Sequence, residues 1–175
     1  MGDKKEQENG SWIALIKDIV SSVLVVGAIV LTAYLISGTW PVVVAVESSS
    51  MEPNIMPGDL VFLQGPSRTE ITTNEEEIDV SFEEYGDVIV FRPNGETKRT
   101  PIIHRAMYVI NESDEMPNGR NAPHAGYITK GDNNHHPDQS GMLDPIKDEW
   151  VVGVARFRVP YLGHITLFVR GIFVD

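Results

Sequence analysis

From Ile19 to Trp40 the chain runs for 22 residues without a charged side chain. The run contains Val23-Leu24-Val25-Val26 and Ile29-Val30-Leu31, and it has no polar face repeating at helical spacing. As a helix it reaches roughly 33 Å, enough to cross a hydrocarbon core of about 30 Å. Trp12, Tyr34 and Trp40 lie near its ends, where amphipathic rings suit a membrane–water interface. A cleaved secretory leader is the rival reading, but its apolar region is only about 7 to 15 residues long, and no clear small-x-small cleavage site follows here. The expectation is a retained transmembrane anchor over 19–40. A polar tail over 1–18 precedes it, with residues 1–11 poorly ordered.

Lys4, Lys5 and Lys17 precede the span, and no Lys or Arg follows it until Arg68. The positive-inside bias therefore puts the tail in the cytoplasm and residues 41–175 outside, on a single-pass protein of the cell membrane. Asp3, Glu6, Glu8 and Asp18 dilute the local charge, but acids count little in this rule. The chain has no cysteine, which excludes a thiol nucleophile, disulfides and Cys-based zinc sites. Its formal net charge of -11 argues against nucleic acid as a partner, because phosphate neutralisation needs Lys and Arg clusters. Much of the acid excess falls in 65–87, where Glu70, Glu75, Glu76, Glu77, Asp79, Glu83, Glu84 and Asp87 face one base, Arg68. That stretch reads as a solvated surface loop in which the charge run breaks any strand.

Beyond the span the pattern changes to short β-branched runs. Pro41 to Val46, Leu60 to Leu63, Val88 to Phe91, Ile102 to Ile110, Tyr127 to Lys130 and Trp150 to Ala155 read as strands or parts of strands. Gly- and Pro-rich turns separate them, among them Arg92-Pro93-Asn94-Gly95, and 111–124 reads as loop. With no long amphipathic helical pattern, residues 41–175 form a mainly β domain. The C-terminal 159–175 is apolar but carries His164 and Arg170, too short and too charged for a second span. Docking on the domain is expected, with an interfacial position as the alternative.

Between the first two strands lies Ser48-Ser49-Ser50-Met51-Glu52-Pro53, followed by Met56-Pro57-Gly58-Asp59. Prolines 53 and 57 and Gly58 disfavour a helix and stiffen the turn. Serine triplets are ordinarily turn formers, but a hydroxyl held rigidly is also a candidate nucleophile. Ser50 is ten residues after Trp40, so at full extension it lies within about 35 Å of the span's end. Such a nucleophile acts only on substrates presented at the membrane surface.

A serine hydroxyl needs a base. His104 lies on a strand among Ile102, Ile103 and Ala106, and imidazole accepts protons under neutral conditions. Lys98 is the competing base, but it follows the Asn94-Gly95 turn and precedes Pro101, a solvated setting in which a lysine keeps its proton. An imidazole base is ordinarily oriented by a carboxylate, and Asp132 and Asp138 both follow a strand end. The Gly131-Asp132-Asn133-Asn134 string is by itself an ordinary turn. His124, His135 and His136 match no standard zinc spacing, so no metal is expected. A Ser–His enzyme, a Ser–Lys enzyme using Lys98, and a non-catalytic anchored β-domain that binds a partner all remain open on the residues alone.

These strings, in this order, resemble signal peptidase I, the membrane protease that removes secretory signal peptides. Its serine box is S-x-S-M-x-P-T-L-x-x-G-D. Ser48, Ser50, Met51, Pro53, Gly58 and Asp59 match it, while Asn54 and Ile55 stand where Thr and Leu are usual. Gly86-Asp87-Val88-Ile89-Val90-Phe91 resembles the next box, G-D-x-V-x-F. His104-Arg105 stands where bacterial members have Lys-Arg, and His there marks the archaeal and endoplasmic-reticulum branch. Gly131-Asp132-Asn133 with Asp138 six residues after Asp132 resembles the final box. The resemblance implies a signal-peptidase-like β-fold and a membrane-bound serine endopeptidase that cuts exported preproteins after small residues. It implies Ser50 as nucleophile, His104 as base, Asp138 as its orienter, Asp132 as a supporting acid and Ser48 as an oxyanion donor. No cofactor is implied. The implied partners are signal peptides, the lipid bilayer and the secretion machinery.

Overall fold

A computed structural model describes residues 3–163. Helix α1 spans Asp3–Ser37. The apolar run is helical up to Ser37, and Gly38, at φ +75°, ends it with a left-handed residue that only glycine adopts without strain. At the other end the helix extends back through the polar tail, where order was not expected. Asp3 to Glu8 contains Lys, Glu and Gln, good helix formers that lengthen an existing helix without a nucleation cost. From Trp12 to Ile36 the large apolar side chains are exposed on every side of α1. Each Val, Leu or Ile left in water would forgo about 1.5–3 kcal/mol. A helix of this length and composition fits a single-pass membrane span.

A second unit begins at Ser37. Its first residues are tied in by hydroxyls: Ser37 Oγ donates to Leu63 O at 2.7 Å and Thr39 Oγ1 to Val152 O at 2.5 Å. The unit is a six-stranded antiparallel sheet in the order β1-β2-β8-β5-β6-β7. Its strands are β1 (Val43–Ala45), β2 (Leu60–Gln64), β5 (Val88–Phe91), β6 (Ile102–Ile110), β7 (Gly126–Lys130) and β8 (Val151–Val159). Register shifts at Phe62/Leu63, Val90/Phe91 and Ala106/Tyr108 add local twist and curl the sheet. Strand β5 is buried on both faces. Val88 and Val90 pack with Val46, Met51, Ile55, Val61 and Leu63, and Ile89 and Phe91 pack with Ala106, Ile146, Val151 and Val154.

The acidic 65–87 stretch departs from expectation. It contains a two-stranded hairpin of β3 (Val80–Ser81) and β4 (Glu84–Tyr85), with Val80 opposite Tyr85 and Ser81 opposite Glu84. Its two-residue turn is Phe82-Glu83, both with positive φ. Such a turn normally needs Asn or Gly, so the sequence carries no sign of it. What holds it is tertiary. Buried Arg105 NH1 donates to the carbonyls of Ser81 and Gly86, each at 2.7 Å, and to that of Glu84 at 3.2 Å. Asp87, just ahead of β5, is also not a solvated residue. It is buried, accepts from Thr72 N and Oγ1, and pairs with Arg156 NH1 at 2.9 Å. Of the C-terminal 159–175, Val159 ends β8 and residues 160–162 follow as a turn, while His164, Arg170 and the question of docking lie outside the described residues.

Candidate active site

The serine segment joins β1 to β2, two paired neighbours, so its ends are fixed close together. Its own residues then tighten it. Ile55 N donates to Met51 O at 2.9 Å, and Met51 and Ile55 are fully buried, pinning the turn to the core. Gly58 adopts φ +87° and Gly58 N donates to Val46 O at 2.8 Å. Asp59 accepts from Met56 N at 3.0 Å and from Arg158 NH1 at 2.7 Å. The Gly58-Asp59 pair therefore closes the loop that presents Ser50.

A second loop, 131–134, reaches this turn from the end of β7. Asn133 N donates to Ser50 O at 2.9 Å, and Asn133 Nδ2 to Ser49 O at 3.1 Å. Gly131 sits where a side chain has no room: a Cβ there would stand 2.5 Å from Ser50 O and 2.9 Å from His104 Nε2.

His104 projects from β6, paired with Ile89 on β5, and is largely buried. Its Nε2 is 3.0 Å from Ser50 Oγ and its Nδ1 is 2.7 Å from Asp138 Oδ2. A carboxylate only accepts, so Nδ1 carries the proton in that contact and Nε2 presents its lone pair to the serine hydroxyl. Ser48 Oγ lies 3.1 Å from Ser50 Oγ. The structure thus brings Ser48, Ser50, His104 and Asp138 into one hydrogen-bonded chain.

Asp132 is elsewhere in this cluster. Arg105 Nε donates to its Oδ1 at 2.9 Å and Arg105 NH2 to its Oδ2 at 2.7 Å, and Asn54 Nδ2 also donates to Oδ2 at 2.9 Å. Asn54, where the resembling family usually has Thr, thereby links the serine turn to the Arg105–Asp132 pair. Lys98 is exposed on a turn. His135 and His136 are exposed, and His124 stands edge-on to Trp150. Among the described residues no three His, Asp or Glu side chains gather as a metal would require.

Sequence reasoning passed over Thr129 and Gln139. Thr129 Oγ1 donates to Asp138 Oδ2 at 2.7 Å, and Gln139 Oε1 accepts from Thr129 N at 2.9 Å. The usable signal was two polar side chains flanking the Gly-Asp box, one of them inside a strand beside Ile128.

Ser48, Ser50 and His104 border a groove of about 590 Å³. Val44, Val46, Val90, Ile102 and Ile103 make most of its wall apolar. Both flanking segments carry open ladder edges among the described residues. β1 pairs with β2 alone, while Ile102 to His104 pair with β5 and the β7 ladder begins only at Arg105.

Comparison with known proteins identifies the family. Residues 16–109 match the family described as "Signal peptidase, peptidase S26", more than half of the chain. The chain is 34% identical over 147 residues to the signal peptidase complex catalytic subunit SEC11 of Schizophyllum commune, covering 75% of this chain and 66% of that one. It is 35% identical over 157 residues to the signal peptidase complex catalytic subunit SEC11C of Homo sapiens, covering 87% and 68%. It is 30% identical over 183 residues to the SEC11 subunit of Plasmodium falciparum, covering 95% and 86%. The chain spans about two thirds of the length of the fungal and human relatives. With one apolar helix ahead of a curled β-sheet and matches at this level, the chain belongs to the signal peptidase family of S26 peptidases.

Proposed function

We propose that this chain is a membrane-bound serine endopeptidase that removes N-terminal signal peptides from exported preproteins, cutting after small residues. The observation that carries the reading is the Asp138–His104–Ser50 chain, with contacts of 2.7 and 3.0 Å, at the edge of an apolar groove. Ser50 Oγ attacks the scissile carbonyl while His104 Nε2 takes its proton and then returns it to the leaving amine. Asp138 fixes the imidazole tautomer and stabilises the imidazolium that forms. Ser48 Oγ and the Ser50 N–H stabilise the oxyanion, where one such donor is worth about 10²–10³ in rate. Asp132, paired with Arg105, supports the site without touching the reacting atoms.

The groove suits an extended peptide. Open ladder edges on both flanks can take a substrate strand through main-chain hydrogen bonds, and the apolar wall favours small uncharged side chains beside the scissile bond. The flanking lysines favour a cytoplasmic N-terminus and an external catalytic unit, which suits a preprotein emerging across the membrane as substrate. The relatives are named as subunits of a signal peptidase complex, which supports an association of this chain with further membrane subunits. The test is incubation of the purified full chain in detergent with a preprotein bearing a small-x-small cleavage site. Cleavage at that site, abolished in Ser50→Ala, supports the reading, and undiminished cleavage by Ser50→Ala overturns it.

A further inference from the structure

We propose that Thr129 is a positioning residue whose hydroxyl, aimed by the buried Gln139 amide, holds Asp138 Oδ2 in line with His104 Nδ1. The inference rests on the Ser50–His104–Asp138 reading above and extends it by one shell. Asp138 Oδ2 receives two contacts at 2.7 Å, from His104 Nδ1 and from Thr129 Oγ1. Thr129 and Gln139 are both fully buried, so water cannot substitute for either.

The direction of each hydrogen bond follows from the donor inventory. Gln139 Oε1 accepts from Thr129 N at 2.9 Å, which fixes the face of the amide. Gln139 Nε2 can then only donate, and it reaches Thr129 Oγ1 and Asp144 O, each at 3.4 Å. Thr129 Oγ1 accepts from the amide and turns its hydrogen to the carboxylate. A free hydroxyl would rotate among partners, whereas this one has a single orientation left. Asp138 begins a short helical turn, Asp138–Ser140, on the long β7–β8 connection, so its backbone alone does not set the carboxylate. Thr129 lies on β7, paired with Ala106 two residues beyond His104 on β6. The hydroxyl therefore ties the orienting acid to the same sheet that carries the base, and the two move as one body.

The test is steady-state cleavage of a preprotein by the full chain in detergent, comparing Thr129→Val with Thr129→Ser, together with the rate of Ser50 labelling by a fluorophosphonate. Thr129→Val keeps the shape and removes the hydroxyl. Expected is a fall of about tenfold to a hundredfold in kcat and in labelling rate, the span of a hydrogen bond to a charged group, with KM within about twofold. Thr129→Ser should restore most of both. On an Asp138→Asn background the Val substitution should cost less than about threefold, because residues acting as a unit are not additive. Should Thr129→Val fail to fold by thermal melting, Thr129→Ala, which puts no methyl beside the carboxylate, carries the same comparison. A wild type that cleaves and a dead Ser50→Ala, with Thr129→Val at normal kcat or altered only in KM, would overturn the inference and leave the protease reading standing. Equal activity of wild type and Ser50→Ala would remove both.

Discussion

The guanidinium of Arg105 lies edge to edge with the carboxylate of Asp132, Nε to Oδ1 at 2.9 Å and NH2 to Oδ2 at 2.7 Å, with both side chains buried. The neighbouring His104 faces the other acid, its Nδ1 2.7 Å from Asp138. Two adjacent residues of β6 thus divide the two acids of one loop between them. On the proposed reading, the acid beside His104 bears on chemistry. The acid beside Arg105 bears on architecture, because the same guanidinium holds the carbonyls of Ser81, Glu84 and Gly86.

This division separates the two Asn substitutions. Removing one partner of a buried ion pair leaves the other charge stranded, at a cost of about 3–5 kcal/mol. Asp132→Asn should therefore lower the melting temperature by about 10 °C or more, with turnover per folded molecule within about tenfold of wild type. Asp138→Asn should melt close to wild type and lose about 10⁴ in turnover, as replacement of the orienting Asp does in serine proteases with a Ser-His-Asp triad. Thermal melting and preprotein cleavage on both variants check this. A stable, dead Asp132→Asn alongside a stable, active Asp138→Asn would exchange the roles.

The base is tested by a second pair. His104 Nε2 is 3.0 Å from Ser50 Oγ, while Lys98 is exposed on a turn where its ammonium stays solvated. His104→Ala should abolish cleavage, and Lys98→Ala should keep at least half of it. EDTA should leave the rate unchanged, since hydroxyl attack assisted by imidazole needs no metal. The opposite result for the two alanines would establish a Ser–Lys enzyme.

A raised Tyr127 on β7 predicts a loss of stability at alkaline pH. Tyr127 is pushed up to about 12, first by burial and then by the charge and hydrogen bond of Asp148, with Glu76 and Glu70 adding to it. A phenol with a raised folded-state value stays neutral in the fold while the unfolded chain ionises from about pH 10. Its contribution is therefore complete below pH 10 and is lost as pH rises towards 12. The melting temperature should fall across that window, and fall less steeply in Tyr127→Phe, which cannot ionise. Equal slopes for the two proteins would exclude Tyr127 as the source.

Much of this was legible in the chain because it is written in local chemistry. An uncharged run long enough to span a bilayer, β-branched stretches between Gly and Pro turns, and a serine string flanked by Pro53 and Gly58 each declare themselves within a few residues. What stayed hidden depends on contacts distant in sequence. The Phe82-Glu83 turn has no turn-forming residue and exists because Arg105, more than twenty residues later, binds the carbonyls around it. Thr129 and Gln139 look like ordinary polar residues until the β7–β8 connection folds one onto the other. The choice between Asp132 and Asp138 was open for the same reason, since both follow one strand end and only the packing of β6 decides which side chain each meets.

Gly131 gives the last prediction. The loop after β7 crosses the serine turn so closely that a single methyl at this position would stand 2.5 Å from Ser50 O and 2.9 Å from His104 Nε2. Neither neighbour has freedom to retreat. Ser50 O is backbone and accepts from Asn133 N at 2.9 Å, and the imidazole is held at Nδ1 by Asp138. Its φ does not lie in the left-handed region, so alanine is excluded by space and not by backbone conformation. Overpacking of this kind costs about 1–3 kcal/mol, which the domain can absorb while remaining folded. The chemistry is less tolerant, because a displacement of about 1 Å between nucleophile and base costs on the order of 10² in rate. Gly131→Ala should therefore be folded in detergent by circular dichroism, melt a few degrees lower, and cleave a preprotein at least about a hundredfold more slowly. Labelling of Ser50 by a fluorophosphonate should slow in parallel, since the loss lies in the nucleophile–base contact and not in substrate binding. Wild-type labelling with a raised KM would instead locate the effect in the groove.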